Sequence, residues 1–194
     1  MLKYFAPTLK SLVIEQSNLK IDRSVGMEEF TKHSGLLHLD LRGCVSFVMR
    51  DWISLLSAFP MLESLYIASC HINPTFASLV ANLKNCRVLF MHGCVLSDDF
   101  FRTICNMPKL EELSIPTCQN VTDFNLSSLS SLQRLQKLDL TSVQFQRKSH
   151  LTRAGLLVLG QSCAHLRYFM LSCMYGEFRA ELQAAMPNCT LDYN

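Results

Sequence analysis

Residues 110–118 read LEELSIPTC, and residues 62–70 read LESLYIASC. Both run Leu, two residues, Leu, one residue, an apolar residue, two residues, Cys. The alternation at the centre of each stretch suits a short strand with its apolar side chains on one face. The pattern returns as LKSLVIEQS from Leu9, LLHLDLRGC from Leu36 and CRVLFMHGC from Cys86. It appears again as LQKLDLTSV from Leu135 and LRYFMLSCM from Leu166, and a partial eighth copy begins near PNCTLDYN. Successive starts lie 27, 26, 24, 24, 25 and 31 residues apart. Units of this length stack as a solenoid, because each has an apolar face that only its neighbours can cover. The expectation is one domain over 1–194, with about seven repeats plus a partial C-terminal one.

Between the strands the apolar period lengthens. Trp52, Leu55, Leu56 and Phe59 fall at helical spacing, as do Phe100, Phe101, Ile104 and Met107. Leu156, Leu157 and Leu159 with Cys163 do the same. Ser97 ahead of Asp98 and Asp99 is a helix start, and Pro60 and Pro108 mark stops. Each unit is therefore a strand followed by a helix. Parallel strands line one face and helices the other, and the wider helices force a curve with strands inside. The ninth motif position turns into the core, where room is limited. Cys44, Cys70, Cys94 and Cys118 fill it, then Val143, then Met174. Cys86 and Cys189 take the first Leu position, and Cys105 and Cys163 lie on core-facing helices.

Composition narrows the function classes. The chain has 194 residues, 49% of them hydrophobic, enough for a continuous core. A net charge of +2 gives no argument for a nucleic-acid partner. Nine cysteines, an odd number without a CxxC pair, suggest neither a zinc knuckle nor a redox dithiol. Thiols used as small hydrophobes fit a reducing compartment, cytoplasmic or nuclear. The opening MLKYFAPTLK is too broken by Lys and Pro for a signal peptide. No apolar run is long enough to cross a bilayer, so no membrane role is expected. Six histidines form no HExxH, no glycine-rich phosphate loop is present, and no serine stands in a GxSxG elbow. The expectation is a protein without enzymatic activity, cofactor or metal.

The strand positions not used by the core point to the inner face. Tyr66 and Phe90 fall at the same place on adjacent rungs, about 5 Å apart, with His92 beside them. Such a pair is a candidate anchor for a protein partner. Tyr168 and Met170 form a second candidate patch, and His38, Asp40 and Arg42 place mixed charge on one rung. The longest spacing carries the basic stretch TSVQFQRKSHLTR, with Arg147, Lys148, His150 and Arg153 as a candidate loop for an acidic peptide. The first rung has only Leu2, Tyr4 and Phe5 to cover it, so a contact at this N-terminal edge is also expected.

The stretches LHLDLRGC, LYIASC and LEELSIPTC resemble the cysteine-containing class of leucine-rich repeat, typical of the F-box and leucine-rich-repeat proteins. LEELSIPTCQNVTDFNLSSLSSLQRLQKLDLT, residues 110–141, matches that class most fully: a strand, Cys, an Asn-Val-Thr-Asp lead-in, a helix and the next strand. CVLSDDF resembles a shortened version of the same lead-in. The resemblance implies an α/β leucine-rich-repeat solenoid, a curved horseshoe with a parallel concave sheet and convex helices. It also implies a protein-binding array, most readily the substrate-recognition part of a cullin-type ubiquitin ligase. The segment ahead of Leu9 is too short for an F-box, so adaptor binding would need one outside this chain. The alternative is a repeat-only scaffold, assembly factor or inhibitor.

Overall fold

Eight short strands follow one another in a single parallel sheet, in the order β1 to β8. The computed structural model describes residues 8–14, 35–42, 49–70, 72–143 and 150–194. The strands are β1 (Ser11–Val13), β2 (His38–Leu41), β3 (Ser64–Ala68), β4 (Val88–His92), β5 (Glu112–Ser114), β6 (Lys137–Asp139), β7 (Tyr168–Leu171) and β8 (Thr190–Tyr193). Helices α1 (Met49–Ala58), α2 (Pro74–Ala81), α3 (Asp98–Ile104), α4 (Asp123–Ser127), α5 (Arg153–Ser162) and α6 (Arg179–Ala185) return the chain between strands. Every strand pairs with its sequence neighbour without a crossover, as a solenoid requires.

The register turns the repeated leucines into a column. Leu12, Leu39, Leu65, Leu89, Leu113, Leu138, Phe169 and Leu191 are paired rung to rung, and all are buried. Helix residues close this core from behind. Trp52 packs edge-on against Phe76, their ring centroids 5.2 Å apart, and Phe100 meets Phe101 in the same way at 5.3 Å. Leaving these side chains in water would cost about 2 kcal/mol each. That is why the strand alternation and the helical spacing both read correctly from the sequence.

The ninth position holds the cysteine column. Cys94 and Cys118 are fully buried, Cys70 is half-buried and Val143 closes the position one rung on. The Cys94 backbone N–H donates to Cys118 Sγ at 3.3 Å, and the Cys118 thiol donates to the Met91 carbonyl at 3.0 Å. A thiol suits this bend because it is small and can still meet backbone groups. Burial, then contact with Cys94, holds the Cys118 thiol well above its ordinary range. Burial likewise pushes Cys86, in the first Leu position, up to about 12. Cys189 is also buried, two residues ahead of the column residue Leu191 where the motif would leave three. Cys163 ends α5 buried, whereas Cys105, just past α3, is half-buried and donates to the Ser128 carbonyl at 2.9 Å. Cys44 lies outside the described residues.

One expectation needs correction, and one holds without its side-chain bond. Met174 does not fill the ninth position of the seventh repeat: it is 51% exposed, and Tyr175 is buried instead. The chain after β7 enters a 3-10 turn, Cys173–Phe178, whose tighter period rotates Met174 outward. Tyr175 brings a hydroxyl into the core, which donates to the Leu151 carbonyl at 3.3 Å. Ser97 is the N-cap of α3 by backbone geometry, but its side chain makes no capping bond. Its Oγ is buried without a hydrogen-bond partner. Thr122 shows the complete arrangement: it accepts from Asn125 N–H, and the Asn125 side chain returns to the Thr122 backbone.

Junctions between repeats are as specific as the repeats. Asp123, in the first turn of α4, accepts from Thr152 N–H at 2.9 Å and from the Thr152 hydroxyl at 2.6 Å. Thr152 in turn caps α5 through Gly155 N–H. A Cβ at Gly155 would lie 2.0 Å from the Asp123 carboxyl carbon, so only glycine leaves room for this joint. Strands β3 to β6 each leave through a left-handed residue at the same motif position: Ser69, Gly93, Thr117 and Ser142, with φ of 55°, 61°, 56° and 58°.

Candidate interaction surface

The inner face is built from strand side chains that alternate with the buried leucines. Its middle column runs Val13, Asp40, Tyr66, Phe90, Ser114, Asp139, Met170 and Asp192, fixed by the sheet register. Tyr66 and Phe90 stack as expected, with ring centroids 5.8 Å apart and planes tilted by 34°. The structure adds a third member. The Arg42 guanidinium carbon lies 5.5 Å from both ring centroids, a cation held over two π faces.

Asp40 holds that cation in place. Arg42 Nε reaches Asp40 Oδ2 at 3.0 Å, and a terminal nitrogen reaches the same oxygen at 2.7 Å. Asp40 Oδ1 also accepts from the Arg42 backbone N–H at 3.0 Å. The Asp40 carboxylate is therefore buried and committed within the rung, while Arg42 is exposed above it. The mixed charge anticipated on this rung becomes one bidentate pair. His38 is exposed, with Nδ1 2.7 Å from Ser64 Oγ. His92 is exposed beyond Phe90 on the same strand. Ser11, Val13, His38, Asp40, Ser64 and Tyr66 line a shallow cavity of about 160 Å³ next to the aromatic pair.

The far half of the face has a different chemistry. Asp139 occupies the column position of Asp40 and makes the same local turn, accepting from Thr141 N–H at 2.9 Å. It also accepts from the Thr141 hydroxyl at 2.6 Å and from Ser114 Oγ at 2.8 Å. Glu112 pairs with Lys137 at 2.8 Å. Tyr168 is 55% exposed at the start of β7, and Met170 is half-buried between Asp139 and Asp192 in the register.

The basic stretch divides. Arg147 and Lys148 lie outside the described residues. His150 is exposed and forms an isolated bridge with Thr122. Arg153 begins α5, pairs with Glu181 and lies 5.9 Å from the Phe178 ring centroid, so its charge is already engaged. The contact expected at the N-terminal edge involves residues 1–7, which are also outside the described residues. Among the described residues, no group of three or more His, Cys, Asp and Glu could hold a metal ion, and no helix is long and apolar enough to cross a membrane.

Reading motif by motif missed one column. The residue just after each motif start runs Glu63, Arg87, Glu111, Gln136, Arg167 on successive rungs. Arg87 takes both oxygens of Glu111 at 2.9 Å. On the next rungs the alternation breaks: uncharged Gln136 stands where a cation would continue it, and Arg167 where a carboxylate would follow. Aligning the repeats vertically would have exposed this break.

No protein-family model matches the chain. Solved structures share its architecture. TLR13 in complex with ssRNA13 matches at 22% identity and a TM-score of 0.61, over 89% of this chain and 23% of that one. A leucine-rich-repeat protein of Leptospira interrogans matches at 17% identity and a TM-score of 0.57, over 96% and 49%. An internalin, InlF, from Listeria monocytogenes matches at 14% identity and a TM-score of 0.51, over 87% and 57%. At these identities the likeness shows the fold: the chain is a leucine-rich-repeat solenoid, a parallel sheet with flanking helices. It spans between 23% and 57% of the length of those three proteins.

Proposed function

We propose that this repeat array is a protein-binding module whose anchor is the Arg42–Tyr66–Phe90 cluster on the inner face. The observation that carries this reading is the cluster's rigidity. Two half-buried rings are stacked, and Asp40 fixes the cation above them. A prearranged aromatic surface loses little side-chain entropy when a partner lands on it, which is why aromatics and arginine dominate binding hot spots. The adjoining cavity of about 160 Å³ offers a socket for one partner side chain. The histidines His38 and His92 flank the cluster and supply adaptable hydrogen bonds.

The finer reading is the substrate-recognition part of a cullin-type ubiquitin ligase. Its support is the resemblance of residues 110–141, whose Asn-Val-Thr-Asp lead-in forms a complete capping box at Thr122. The adaptor would be engaged by an F-box outside this chain. A repeat-only scaffold, assembly factor or inhibitor is the alternative, and the full-length transcript separates the two. A cytoplasmic or nuclear, reducing location fits thiols used as buried apolar groups. Among the described cysteines there is no disulfide, although Cys94 and Cys118 are in contact.

The test is partner capture from cell extract with the intact chain and with the Tyr66→Ala/Phe90→Ala variant, both first shown to be folded by circular dichroism. Selective loss of one partner is the expected result. An unchanged partner set would overturn the assignment of the anchor.

A further inference from the structure

We infer that the far end of the array, around Arg134, Arg167 and Tyr168, takes an acidic, extended segment of the partner with an aromatic or apolar residue beside its carboxylates. This rests on the reading above that the inner face binds protein, and it adds the chemistry of what binds at its second end.

Charge is left over at this end of the array. Along the edge where helices return to strands, cations and carboxylates alternate through the middle rungs. Arg87 is satisfied by Glu111, and Lys137 by Glu112. The alternation then stops. Gln136 occupies the rung before Arg167, and its carbonyl receives the Arg167 and Tyr168 backbone N–H groups at 2.7 and 2.9 Å. The Gln136 side chain carries no charge to offer the guanidinium. Among the described residues, neither Arg134 nor Arg167 has an ion pair or a side-chain hydrogen bond, and both are exposed.

The neighbours reinforce the sign. Lys109, one rung before Arg134 in the same motif position, spends its ammonium on the neutral Asn85 amide at 2.7 Å. His165, one rung beyond, meets only Gln133 at 3.3 Å. Lys109, Arg134 and Arg167 therefore place a cation on each of three successive rungs, the last beside Tyr168, which presents more than half of its surface to solvent. An extended peptide can follow these cations. Rungs are spaced by about 5 Å, while an extended peptide sets same-side carboxylates about 7 Å apart, a mismatch that long arginine stems absorb. Guanidinium groups take carboxylates bidentately, and an exposed tyrosine adds apolar contact.

The test uses the full chain and fluorescence anisotropy. The probe is a fluorescein-labelled dodecapeptide of alternating Glu and Tyr. Matched probes replace Glu by Gln, or Tyr by Ala. Oligouridylate and phosphatidylserine vesicles stand for the other anionic partners. The expected result is saturable, salt-sensitive binding of the Glu–Tyr probe, weakened about tenfold or more by Arg134→Glu/Arg167→Glu. Lys84→Glu/Arg102→Glu, which reverses two cations elsewhere, should leave that binding intact. Arg134→Gln/Arg167→Gln provides the same readout without introducing new acid, and unchanged circular dichroism secures the fold.

Absence of saturable binding, or binding indifferent to both arginine variants, would overturn the inference. So would tighter arginine-dependent binding of oligouridylate or vesicles than of the peptide. If the acidic probe fails while partner capture still depends on Tyr66 and Phe90, this inference falls and the protein-binding reading stands. If capture is unaffected by Tyr66 and Phe90 but the probe binds through Arg134 and Arg167, the anchor assignment falls instead.

Discussion

Tyr66 and Tyr168 stand on the same inner face and meet opposite fates. Tyr66 leans on Phe90 beneath Arg42, whose charge Asp40 has already neutralised. Tyr168 stands 55% exposed beside Arg167, whose own column position on the preceding rung holds the uncharged Gln136. The first half of the face has spent its electrostatics on holding its own aromatics still. The second has kept its charge for something else. Rigid aromatics supply affinity, whereas uncompensated charge governs encounter and the choice of partner. One curved sheet can thus present two different surfaces without two domains, because each rung is decorated independently of the leucines beneath it.

Alkali should have the largest effect, through buried thiols in both halves. Burial pushes the thiols of Cys163 and Cys189, in the last repeats, up to about 11, and that of Cys86 up to about 12. Their ordinary value is 9.0. Between that value and the raised one, the unfolded chain releases a proton that the folded chain keeps. Their contribution is therefore fully present below pH 9 and is lost as the pH rises through the raised values. For Cys86 alone the loss reaches about 4 kcal/mol by its own raised value. Urea midpoints should fall steadily above pH 9. Cys86→Ala should flatten the slope; an equally steep profile in that variant would show that the thiol is not its source.

Gly155→Val attacks the joint on which the second half hangs. The new side chain would occupy the position of the Asp123 carboxylate and remove the cap it gives Thr152. Overpacking and loss of a cap together should cost about 3 kcal/mol, read as a lower denaturation midpoint. Gly176→Ala, where nothing lies within 4 Å of the added carbon, is the matched control. Equal destabilisation by both would refute the steric account.

Asp40 and Asp139 test whether the halves differ in function or only in appearance. Both sit in the same column and accept the backbone N–H two residues on. Asp139→Ala strips acceptors from Thr141 and Ser114 and should cost about 2 kcal/mol of stability. Asp40→Ala should cost about 1 kcal/mol, because Arg42 is exposed enough to find water. It should weaken partner capture more than Asp139→Ala does, since it frees the cation that orders the rings. The reverse ranking in both assays would erase the distinction.

Much of this was legible in the sequence, for a physical reason. The apolar ladder is repeated at near-constant spacing, so each copy confirms the others, and the strands, their register and the Tyr66–Phe90 pair follow from it. Met174 could not be read correctly, because the tighter turn after β7 depends on how Tyr175 reaches Leu151 across the repeat. Arg42 over the rings was also hidden: its position is set by Asp40 two residues earlier and by side chains one and two rungs later. Arg134 and Arg167 lie in two neighbouring columns, one before and one after the motif start, so their proximity shows only when the rungs are stacked. Sequence period fixes what stacks; the pairing between rungs decides which charges remain.

The smallest effect concerns the turn at Thr117, on the rung between the two halves. Its φ of 56° is left-handed, a conformation that a β-branched residue adopts at a cost of about 1–2 kcal/mol. Its Oγ1 is buried without a hydrogen-bond partner, a further penalty. Gly93 meets the same backbone demand one rung earlier without that strain. Replacing Thr117 by Gly removes strain and orphaned hydroxyl together, at the expense of a more flexible unfolded chain. The balance should be a gain of about 1 kcal/mol, seen as a higher thermal midpoint. Thr117→Ala removes the hydroxyl but keeps the Cβ, and should recover less. If Ala matches Gly, the orphaned hydroxyl accounts for the whole effect and the left-handed turn costs nothing here.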